Sequence, residues 1–152
     1  MRSLSSIIKS IIKAIRNNYY LKNNFRKLVL EYKAKNKAKN GSKKLILDNS
    51  TRWLSTYNML DRFIYFKEEI AILLERANNL EKKKRDNINI DSFNISKNEW
   101  NYLIKLRNIL EIFRKPTIKL QSSNYSSIYF TIPYITKLLV ELDKLTINID
   151  NI

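Results

Sequence analysis

The run Asp48-Asn49-Ser50-Thr51-Arg52-Trp53-Leu54-Ser55-Thr56-Tyr57-Asn58-Met59-Leu60 puts an Arg beside a Trp at the expected mouth of a helix. Asn49, Ser50 or Thr51 can cap that helix. A helix N-terminus offers unpaired amides to a phosphate, and an Arg adds a planar, bidentate contact. A Trp can stack on an unpaired base, worth about 1–3 kcal/mol, or it can anchor a core. The residues alone leave both roles open for Trp53. Trp100 opens an apolar stripe and reads as a core anchor.

Charge points the same way. Residues 1–44 hold 13 Lys and Arg against one acid, Glu31, while residues 45–152 hold 16 against 13. A positive field concentrated in the first third attracts polyanions, either nucleic acid or an acidic membrane surface. AT-rich coding explains part of this, because Ile, Lys and Asn supply 61 of the 152 residues. It does not explain why acids avoid the first third.

The catalytic inventory is thin. The chain has no Cys and no His, which removes disulfides, zinc sites, thiol nucleophiles and Ser-His-Asp triads. One Gly cannot build a phosphate-cradling loop. Glu68 and Glu69 are adjacent, so on a helix they diverge by about 100° and share no proton. Asp48 follows a candidate strand, a place where metal-binding carboxylates occur. It reads first as an Asp leading into a helix. No catalytic, cofactor or metal residue is assigned. No stretch approaches the roughly 18 apolar residues of a membrane span. The acid-free, amphipathic residues 1–30 suit a basic helix or a mitochondrial presequence.

These residues need elements to hold them, and the pattern is helical. Leu4, Ile7, Ile8, Ile11, Ile12 and Ile15 recur at helical spacing behind Ser3. After a break at Asn17-Asn18, a second helix is expected from about Tyr20 to Lys33, with Leu21, Phe25, Leu28, Val29 and Tyr32 inward. The two form a hairpin or one bent helix. Lys33 to Lys44 reads as a solvated loop, and Leu45-Ile46-Leu47 as one short buried strand. One long helix should then carry Trp53, Tyr57, Leu60, Phe63, Ile64, Ile70 and Leu74 to about Arg76. Residues 77–95 read as a linker, with Lys82–Arg85 either solvated or a nuclear-import or phosphate-contact cluster. Ser96-x-x-Glu99 is a capping box. Its helix, with Trp100, Leu103, Ile104, Leu110 and Phe113, should end or kink near Pro116. The last helix, Ile128 to Leu145, should carry Pro133 in its first turn and turn Ile132, Ile135, Leu138, Leu139 and Leu142 inward. The expected divisions are 1–76, a linker 77–95, and 96–152.

The Asp48–Leu60 run resembles the D-x-x-T-R-W-x-S-T-Y-x-M-L signature of hAT superfamily DNA transposases and their zinc-finger BED relatives. Lys44-Leu45-Ile46-Leu47-Asp48 is similar to the strand preceding that signature. Glu99-Trp100, Leu103, Ile109-Leu110, Phe113, Thr117, Leu120 and Tyr125 follow the family's downstream order, and Pro133 and Leu138 its continuation. The resemblance spans about residues 5–145. It implies a mainly α chain with one short strand: the edge of an RNase H-like α/β transposase core (1–76) followed by part of a helical insertion domain (96–152).

In the family, three carboxylates bind Mg²⁺ or Mn²⁺ and cut DNA. The resemblance places those carboxylates, the dimerisation region and the Cys/His motif outside this sequence, so the chain is expected to be an internal fragment that uses no metal and has no catalysis alone. Asp48 matches a non-catalytic acid. Arg52 and Trp53 match positions that contact DNA near the cleavage site, the Trp stacking on an exposed base. Leu54 departs from the usual Asn. Thr51, Arg52, Trp53, Lys43 and Lys44 are the expected DNA contacts, the nucleus the expected location, and self-association belongs to the intact family protein. The alternatives are a stand-alone basic helical module for RNA or DNA, and a helical domain for protein partners.

Overall fold

The computed structural model describes residues 3–36, 44–49, 53–79, 95–122 and 128–149. They contain six helices: α1 (Leu4–Asn17), α2 (Tyr19–Asn36), α3 (Trp53–Tyr65), α4 (Lys67–Asn78), α5 (Lys97–Ser122) and α6 (Ile128–Ile149). The chain divides into two compact units, Met1–Ile104 and Lys105–Ile152. The division falls within α5. Of the expected linker, residues 80–94 lie outside the described residues.

In the first unit, the Ser3 hydroxyl accepts the Ser6 amide at 3.3 Å and starts α1. The helix buries Ile8, Ile11, Ile12 and Ile15. Asn18 then both stops α1 and opens α2. Its amide donates to the Ala14 carbonyl at 2.9 Å, and its Oδ1 accepts the Leu21 amide at 3.1 Å. The backbone at Asn18 is extended, so there are two helices rather than one bent helix. Leu21, Phe25 and Leu28 of α2 are buried, but Tyr32, expected inward, is exposed. Residues 33–36, expected in a loop, continue α2. Lys and Ala are strong helix formers, and a nucleated helix extends without apolar periodicity.

The expected long helix is broken at Phe66, whose ψ is 23°. Hydrogen bonding spans the break, from the Phe66 amide to the Arg62 carbonyl and from the Ile70 amide to the Phe66 carbonyl. The turn sends Phe66 into the core, edge-on to Phe25 of α2 at 5.2 Å. Glu68 and Glu69 stand in the first turn of α4, where negative charge favours a helix start.

The capping box forms as expected. Glu99 Oε2 accepts the Ser96 amide at 2.7 Å, and Ser96 Oγ accepts the Glu99 amide at 3.2 Å. The bond from the Ser96 amide, and after it one from the Ser96 hydroxyl to Oε2 at 2.8 Å, hold the Glu99 carboxyl below its ordinary pKa. They fix the start of α5, so that Trp100 stacks on Phe63 with centroids 5.2 Å apart and planes 15° from parallel.

Four further expectations are corrected. Leu45–Leu47 forms no strand; among the described residues it has no ladder partner, and a strand exists only by pairing. Of the two outcomes expected at Pro116, an end or a kink, the end does not occur: α5 runs through Pro116 to Ser122, because losing one amide from a long helix does not force it to end. Pro133 is the sixth residue of α6, beyond the first turn. In α6, Leu138 and Leu142 are half-buried, but Ile132, Ile135 and Leu139 are exposed, Ile132 at 73%. The inner side of α6 is the opposite one: Tyr134, Lys137, Leu138 and Glu141 share a groove of about 240 Å³ with Glu111, Ile112, Lys115 and Pro116 of α5. Two helices can cover only one stripe of each other.

Candidate nucleic-acid interface

The mouth of α3 is held by one polar network. Lys9 Nζ of α1 lies 3.0 Å from Asp48 Oδ2, and the Asp48 side chain is only 5% exposed. The Asn49 amide donates to Ser55 Oγ at 2.7 Å. Ser55 and Thr56 belong to the first turns of α3, so segment 44–49 is fastened both to α1 and to the helix that starts with Trp53. No sequence signal reveals the Lys9–Asp48 pair, because its partners are far apart in the chain.

Burial pushes the Asp48 carboxyl up, but hydrogen bonds from Lys9 and from the Ser55 hydroxyl, the Lys9 charge and the Thr56 hydroxyl outweigh it, and the pKa falls below its ordinary value. Oδ1 itself has no partner of full hydrogen-bond geometry among the described residues. A depressed carboxylate pKa adds stability above the unfolded pKa and loses it as pH falls through the folded pKa. Lys9→Met should therefore lower the melting temperature at neutral pH, by the equivalent of about 1–3 kcal/mol for a buried acceptor stripped of its partner. The difference from wild type should close as the buffer is taken down through pH 4 to pH 2. A difference that persists at pH 2 would assign the loss to packing of the Lys9 stem.

The expected contact residues divide into two groups. Trp53 is the first residue of α3 and 36% exposed, and Lys44 is exposed at the start of segment 44–49. Lys43, Thr51 and Arg52 lie outside the described residues. The first two helices carry further cations. Lys13 and Arg16 on α1 and Lys22, Arg26 and Lys27 on α2 are all exposed. From residue 3 to 49 there are two acids, Glu31 and Asp48, and Asp48 is neutralised by Lys9.

Among the described residues no three His, Cys, Asp or Glu converge into a group that could hold a metal ion. Glu69 is a buried carboxylate whose pKa burial raises, with the Glu68 charge adding to the rise against its own backbone amide. It stands in the first turn of α4, where the helix dipole accounts for an acid. None of the described helices is long and apolar enough to cross a membrane.

The model of one protein family, the ZBED1 RNase-like helical domain, matches residues 1–109. No curated protein matches the chain, and no solved structure does. The matched stretch ends within five residues of the first compact unit, at Ile104, so sequence and packing mark out the same body. With well over half its length matched, the chain belongs to the ZBED1 RNase-like helical domain family, a transposase-derived, ZBED/hAT-related group.

Proposed function

We propose that this chain is a DNA-binding helical domain of hAT transposase ancestry, working in the nucleus and without DNA-cutting activity of its own. The observation that carries this reading is the unbalanced basic surface of α1 and α2. Five exposed cations stand there against one acid, Glu31, and the nearby Asp48 is cancelled by Lys9. Arg52 and Thr51 supply phosphate contacts at the mouth of α3, Lys43 and Lys44 extend them, and Trp53 offers a ring to an unpaired base. The first unit forms the edge of an RNase H-like core, and α5 leads into the insertion domain. A helical protein-interaction role is the second reading, favoured by the uncovered Ile132, Ile135 and Leu139 on α6.

The test is a salt titration with duplex DNA. The logarithm of affinity should fall linearly with that of salt, by about 0.9 per phosphate neutralised. Replacing Lys37, Lys39, Lys43 and Lys44 by Glu should flatten the slope and weaken all sequences alike. The same preparation with Mg²⁺ or Mn²⁺ should leave supercoiled DNA uncut, because phosphoryl transfer needs metal-holding carboxylates. No binding at low salt would reject the DNA reading; metal-dependent nicking abolished by mutating an acid of this chain would reject its lack of catalysis.

A further inference from the structure

The outer face of α2 carries a feature that the mouth of α3 does not use. Tyr19, Lys22 and Arg26 follow at i, i+3 and i+7. At about 100° per residue they fall within about 60° of one another, and Lys22 and Arg26 lie about 4.5 and 10.5 Å along the axis from Tyr19. All three are exposed, and Tyr19 is 81% exposed. Among the described residues none of the three takes part in an ion pair, side-chain hydrogen bond or ring contact. The acid of this helix, Glu31, sits about 120° or more from all three, on the stripe of Tyr20 and Lys27. The Tyr19 stripe keeps its positive charge whole.

We infer that Tyr19, Lys22 and Arg26 form a stacking platform for single-stranded DNA, separate from Trp53. This rests on the DNA-binding reading above and deepens it. Two cations spaced along a helix follow a phosphate backbone of any form. An exposed aromatic ring adds something only when a base face is open to it, and in duplex DNA the base faces are closed by their neighbours. The pairing of the ring with the cations therefore selects unpaired nucleotides.

The test uses the full chain, a thymidine oligonucleotide and a blunt duplex of equal length, read by fluorescence anisotropy at low salt. Tyr19→Ala should weaken oligothymidine binding about 5- to 150-fold, the range that about 1–3 kcal/mol of stacking converts to. Its duplex affinity should stay within about twofold, and its melting temperature should not move, because the ring is solvated. Tyr19→Phe should retain wild-type binding to both. Lys22→Ala with Arg26→Ala should weaken both DNAs and reduce the salt slope. Unchanged oligothymidine binding in Tyr19→Ala, or equal losses on both DNAs, would overturn the platform while leaving the DNA-binding reading intact. So would a Tyr19→Ala variant that keeps its DNA affinities and loses binding to polyglutamate, which would give the stripe to an acidic protein. A wild-type chain that binds neither DNA would end both readings.

Discussion

Trp100→Ala should destabilise the first unit by about 3–5 kcal/mol, the usual range for removing a buried Trp from a core. Trp100 is 6% exposed, stacks on Phe63 and lies beneath Lys67, whose Nζ is 5.6 Å from the ring. It also connects α5 to α3, since Phe63 belongs to α3. Truncation removes the stacking partner of a fully buried Phe and opens a cavity that the neighbouring helices cannot readily fill. A urea titration followed by far-ultraviolet dichroism gives the loss. Trp100→Phe should recover part of it by restoring a ring against Phe63. A Trp100→Ala chain with the wild-type midpoint would mean that α5 does not anchor the unit.

Trp100 shows what local sequence rules could supply. Its place follows from the capping box, since Ser96 and Glu99 fix where α5 begins and hence which face Trp100 takes. The Ile8–Ile15 stripe was equally readable, because an apolar run at 3.6-residue spacing has one way to bury itself. Phe66 was not. No Pro or Gly marks the break between α3 and α4, and the available sign is Glu68-Glu69, two acids of the kind that favour a helix start. Long-range partnership was the other gap. Lys9 is a plain polar-face lysine until Asp48 comes beside it. Leu45–Leu47 resembles a strand until a ladder partner is needed. In α6 the apolar residues are spread so widely that periodicity permits either side to pack, and the side bearing Leu138 faces the groove while the one bearing Ile132 stays open. Of the expected contacts, the mouth of α3 was legible as a local motif, whereas the network that fastens it to α1 depends on tertiary contact.

Trp53→Ala should have the opposite character from Trp100→Ala. Trp53 is 36% exposed at the first position of α3, so its ring is partly open to solvent and truncation should leave most of the melting temperature in place. The mouth of the helix would still be held by Asp48, Ser55 and Lys9. Duplex affinity should barely change, because it is set by cations and phosphates. Affinity for a duplex with one unpaired base should fall by about 1–3 kcal/mol, because a base out of the stack is the partner an indole can cover. Arg52→Ala separates the two kinds of contact: it should weaken both DNAs together and reduce the salt slope by about one phosphate equivalent. Melting curves run beside titrations with intact and bulged duplexes decide the role. Equal losses on both DNAs with an intact melt would remove the stacking role. A collapsed melt with all binding lost would make Trp53 a core anchor like Trp100, and the DNA contact at the mouth of α3 would then rest on Arg52 and its neighbouring amides.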